Sequence, residues 1–102
     1  MVSYSGNTVV ISDKRTDLPN KVKKLIKKDG YYIVMIEPSH DIDKNIFGFD
    51  SAGNKIWEIE KEEIYFGLWE SGENVYVREF RNDQYKVDIE TGAIEYAGRG
   101  GK

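Results

Sequence analysis

At 102 residues, 32% of them charged and 39% hydrophobic, the chain is sized for one domain with one modest core, and it is too apolar to be disordered. It lacks cysteine, which excludes disulfides, thiolate metal sites and a cysteine nucleophile, and its formal charge of -3 gives no general attraction for a polyanion. No apolar run approaches the length of a membrane-spanning helix, and residues 1–11 lack the basic start and long apolar centre of a secretion signal, so cytoplasmic residence without membrane contact is expected.

In chain order, residues 8–12 read as a short strand, because Val9, Val10 and Ile11 are β-branched and suit a pleated surface. Residues 13–19 read as a polar loop. Residues 20–28, NKVKKLIKK, admit two readings. Val22, Leu25 and Ile26 fall at helical spacing behind Pro19 and before Gly30, which marks a short helix. Two turns of helix are marginal without strong packing, however, and a strand with Val22 and Ile26 on one face is favoured. Residues 31–37, YYIVMIE, are apolar on both faces and predict a central strand, followed by a polar loop over 38–44.

Residues 45–60, NIFGFDSAGNKIWEIE, carry the clearest turn signal. Ser51, Ala52 and Gly53 form a three-residue hairpin loop, with Gly53 left-handed and the Asp50 side chain capping the turn. That loop predicts Phe47 opposite Trp57, with Phe47, Phe49, Trp57 and Ile59 on one face. Residues 64–69 predict a further strand with Gly67 as a bulge, and Ser71 and Gly72 a turn. Residues 75–80 are expected to pair with 84–88 across Asn82 and Asp83, placing Phe80 opposite Tyr85. A last hairpin turns through Ile89 to Gly92 behind Asp88, so that Tyr85 meets Tyr96 and Val87 meets Ile94. Residues 99–102 read as a frayed tail.

Two of these hairpins match each other. Phe47, Phe49, Asp50, Gly53 and Trp57 correspond to Tyr85, Val87, Asp88, Gly92 and Tyr96, with loops that differ by one residue. The chain then divides into two units of four strands, residues 21–60 and 64–97 of a single domain spanning 1–102. NIFGFDSAGNKIWEI and QYKVDIETGAIEY resemble the closing hairpins of quinoprotein-type β-propeller blades, and the segment 18–94 is similar to small free-standing bacterial proteins of this size. The resemblance implies an all-β fold built from two blade-like, four-stranded antiparallel units. Two blades do not close a ring, so it implies no cofactor channel; the units must pack as a sandwich, form one curved sheet, or assemble from several chains.

Chemistry-bearing groups are sparse. His40, Asp41 and Asp43 share one loop and in principle could hold a metal, but consecutive polar residues between strands are the ordinary composition of a solvated loop. Glu58, Glu60, Glu62 and Glu63 lack the alternating spacing of a calcium loop. No catalytic residue, cofactor or metal is expected. Lys21, Lys23, Lys24, Lys27 and Lys28, followed by Tyr31 and Tyr32, have the elements of a single-strand nucleic-acid binder, although lysines on an edge strand also block edge-to-edge association.

The expectation is a non-enzymatic module that binds another protein, such as an immunity or inhibitor protein for a bacterial toxin. Its surface would comprise Tyr65, Phe66 and Trp69 beside Glu62 and Glu63. The alternatives are a self-assembling structural protein and a small nucleic-acid-binding protein. A monomer is favoured over a two-fold dimer, with the strand at 8–12 folding back onto the edge of the last hairpin and the lysine-rich segment guarding the other edge.

Overall fold

The computed structural model describes residues 2–99, and every regular element in it is a β-strand. The first sheet contains β1 (Val2–Ser5), β2 (Thr8–Ile11) and β3 (Lys14–Asp17). The middle sheet contains β4 (Val22–Lys28), β5 (Tyr31–Ile36), β6 (Ile46–Phe49) and β7 (Lys55–Glu58). The third contains β8 (Tyr65–Ser71), β9 (Asn74–Glu79), β10 (Asp83–Val87) and β11 (Ile94–Arg99). Each is an antiparallel meander, so neighbours in sequence are neighbours in space. The two expected four-stranded units are the middle and third sheets. Residues 20–28 carry strand β4 and no helix, but Val22 and Ile26 do not share a face as expected: a bulge at Lys23 puts Val22 with Leu25 toward the first sheet, while Ile26 turns inward beneath the third.

The sheets stack face to face around two cores. One joins Ile33, Met35, Ile46 and Trp57 of the middle sheet to Tyr65, Leu68, Val75 and Val77 of the third. The other joins Val9 and Ile11 of the first sheet to Val34, Phe47 and Phe49 on the opposite face of the middle one. The middle sheet is therefore covered on both sides, which explains the uninterrupted apolar run of β5.

Several expectations are corrected at the N-terminus. The loop expected over 13–19 contains β3, and a strand precedes the one at 8–12. Lys14, Arg15, Thr16 and Asp17 are polar because one side of this small sheet faces water. The N-terminal strand does not fold onto the edge of the last hairpin. It is the centre of its own sheet, tied to the middle one where the Ser12 hydroxyl donates to the Ser51 carbonyl, 2.8 Å, and Lys14 Nζ to Asn54 Oδ1, 2.7 Å. Of the expected tail, Arg99 belongs to β11 and residues 100–102 lie outside the described residues.

Carboxylates close three of the hairpins. Asp50 Oδ1 accepts the Ala52 and Asn54 amides, 3.0 and 2.9 Å, and Asp88 Oδ1 accepts the Glu90 amide, 2.9 Å. Gly53 and Gly92 have φ of +93° and +79°, as their loops demand. Tyr85 faces Tyr96 and Val87 faces Ile94, as expected. The third turn is displaced from its expected place. Glu79 Oε1 accepts the Arg81 and Asp83 amides, 2.6 and 3.2 Å, and Asn82 takes φ +73°. Phe80 therefore lies in the turn, 52% exposed, and the residue opposite Tyr85 is Val77.

The hairpin at 45–60 is corrected in register. Near its loop Phe49 faces Lys55, as three loop residues dictate, but Ile56 is an extra residue and Gly48 then faces Trp57. One residue of slip exchanges the faces of the strand. Phe47 and Phe49 point to the first sheet, whereas Trp57 and Ile59 point to the third. The indole lies against Gly48, where a Cβ would overlap the ring, and Nε1 donates to the Ile89 carbonyl, 2.8 Å.

Candidate protein-binding surface

The residues expected at the binding surface separate in the structure. Tyr65 is fully buried between the middle and third sheets, its hydroxyl donating to the Lys61 carbonyl, 3.0 Å, and burial pushes its pKa well above the usual phenolic range. It presents no ring to a partner. Phe66, in contrast, is 46% exposed. The cause is a bulge: Tyr65 faces Glu79 while Gly67 faces Arg78, so Phe66 is the extra residue, one position before the expected bulge. Trp69 is half-buried on the outer face of the third sheet and stacks on Tyr76, with ring centroids 5.8 Å apart. Glu62 is exposed, and Glu63 is half-buried near Lys61, 3.8 Å.

A buried amide fixes where the bulge begins. The Asn45 side chain donates to the Ile36 and Tyr65 carbonyls, 3.0 and 2.8 Å, and its oxygen accepts the Tyr65 amide, 3.2 Å. Both backbone polar groups of Tyr65 are thereby held by the middle sheet. Sequence reasoning overlooked Asn45, since a lone Asn before a strand ordinarily belongs to a turn.

Around Phe66 lies an apolar surface that sequence reasoning captured only in part. Ile64 is 40% exposed and its carbonyl accepts the Phe80 amide, 3.1 Å, which sets Phe80 beside it. Pro38, Ser39 and His40 complete a groove of about 390 Å³ with Ile64 and Phe66. Arg78 and Arg81 flank the surface, the Arg81 guanidinium lying 5.1 Å from the centre of the Phe80 ring. The missed signal was Glu79 followed by Asn82, which repeats the spacing of Asp50 and Gly53.

Other candidates resolve into structure. His40 lines this groove, whereas Asp41 and Asp43 line a separate hollow with Lys55 and Glu58. Glu58 pairs with Lys55, 2.7 Å, and Glu60 accepts the Ile94 amide, 2.9 Å. Lys23, Lys24, Lys27 and Lys28 lie on β4, an edge strand, with Lys21 just before it, and Lys28 donates to Glu70 across to the third sheet, 2.9 Å.

A family model described as a domain of unknown function (DUF7957) matches residues 1–98. The chain belongs to that family. The matched stretch takes in all three sheets, so the family's unit is the whole stack and not one meander. No curated protein and no solved structure matches.

Proposed function

We propose that this DUF7957 protein is a non-enzymatic module that binds another protein through the surface around Phe66. The observation that carries the reading is the exposure of Ile64, Phe66 and Phe80 together, at 40%, 46% and 52%, at one end of the third sheet. Large apolar side chains grouped on a small domain, beside a groove, are the usual anchors of a protein interface. The expected site is revised accordingly: Phe66 stays, Tyr65 drops out, and Ile64, Phe80 and Pro38 join. A cytoplasmic toxin inhibitor is one form of such a module, and the resemblance to propeller blades is supported by the face-to-face stacking of the meanders.

The reading is tested by Phe66→Ser and Phe80→Ser. Both side chains are exposed, so the folded protein should keep its thermal midpoint while losing capture of the product of the neighbouring reading frame, identified by mass. Equal capture by the variants would remove this surface from the function. A concentration-dependent rise in mass, abolished by the same variants, would favour self-assembly instead.

A further inference from the structure

At the end of the third sheet this apolar surface adjoins two arginines, on a protein that is acidic overall. Arg78 is exposed near the end of β9 opposite Gly67, which has no side chain to cover it, and Phe80 follows in the turn. Arg81 follows in the turn. Among the described residues, neither arginine forms an ion pair, whereas Lys86 on the same face is paired with Glu95, 3.3 Å. Two guanidinium groups without carboxylate partners thus lie at this end of the sheet, Arg78 opposite the bulge that carries Phe66 and Arg81 over Phe80.

We infer that the partner presents an acidic segment with an apolar or aromatic anchor. The anchor lies against Phe66 and Phe80, and flanking carboxylates pair with Arg78 and Arg81. The guanidinium fork binds carboxylates bidentately, and that of Arg81 already lies over the Phe80 ring, so anchor and charge are read at adjacent points. The inference rests on the protein-binding reading and specifies its partner.

Three sets of synthetic nonapeptides test it, each with a central Phe or Leu flanked by Asp and Glu, by Lys and Arg, or by Ser and Gly. Binding is followed by fluorescence anisotropy. The acidic set should bind more tightly than the neutral set by on the order of tenfold, and the difference should shrink as salt rises. Arg78→Glu with Arg81→Glu should reverse the preference, and Phe66→Ser should abolish binding of every set. Binding that favours the basic or neutral peptides overturns the acidic partner and leaves the binding module standing. Absence of binding by all sets, equal in the wild type and Phe66→Ser, overturns both.

Discussion

Single residues hold this stack together where two sheets meet at close range. Trp57 is buried, bonded through its indole to the Ile89 carbonyl, and wedged between Gly48 and Gly92. Trp57→Ala should lower stability by about 3–5 kcal/mol in urea melts, and a loss below about 1 kcal/mol would falsify the wedge. A Cβ on Gly92 would sit 2.7 Å from the indole, at a φ of +79°. Gly92→Ala therefore combines backbone strain with overpacking, and should cost more than the roughly 1 kcal/mol that strain alone imposes. Asn45→Ala strips three hydrogen bonds from buried groups, a loss of at least about 1–3 kcal/mol. Because Asn45 also positions Tyr65, amide exchange at Tyr65 and Phe66 should quicken in this variant more than in the first sheet.

Among the elements, the hairpin loops set both geometry and pH response. The backbone and side-chain amides of Asn54, then the other loop amides, hold Asp50 below the usual carboxylate range, and the Thr8 hydroxyl does the same for Asp17. A depressed folded-state pKa gives stability that is present above 3.8 and lost as pH falls through the folded value. Lys28 is shifted oppositely by Glu70, so its contribution is full below 10.5 and lost as pH rises through the folded value. Urea midpoints measured from about pH 7 to pH 2 should fall at the acid end, and Asp50→Asn should flatten that fall; an unchanged acid limb would mean the cap has no thermodynamic weight. Edge strands share a second device. β4, β7, β8 and β11 are the four edges of the two larger sheets, and each carries a bulge. Bulges break the regular ladder that a second chain would need to extend either sheet.

At the scale of the whole molecule, the stack is capped at both ends. Counting from the tight turns at 29–30 and 72–73, Ile26, Ile33, Met35 and Ile46 of the middle sheet occupy the places of Trp69, Tyr76, Arg78 and Gln84 in the third. The first set packs against a neighbouring sheet, while the second faces outward. Exchange of aliphatic for polar and amphipathic side chains ends the stack, as terminal repeats do in other stacked architectures. The first sheet ends it at the other side with Ser3 and Arg15. Removing residues 1–19 should bare Val34, Phe47 and Phe49, and the truncated chain should bind a hydrophobic dye and aggregate. Should it instead remain soluble with unchanged near-ultraviolet dichroism, the first sheet would be an accessory and not part of the core.

The sequence by itself determined the all-β class, the two larger meanders and the loops at Asp50 and Asp88, because β-branched runs and turn residues act over a few neighbours. Tyr85 opposite Tyr96 was legible for the same reason: the loop fixes the pairs beside it. Pairing beyond a bulge was not. Nothing local distinguishes Ile56 as an extra residue, since its insertion is favoured by what lies across the interface, Gly48 yielding space to Trp57 and Ile89 accepting its indole proton. The polar strands β1 and β3 escaped for a similar reason, as they are strands through pairing with β2 and through the middle sheet beneath it. Whether Tyr65 or Phe66 meets solvent turned on one bulge residue, and only the tertiary structure decided it, because burial of Tyr65 depends on the distant Asn45 that holds its backbone.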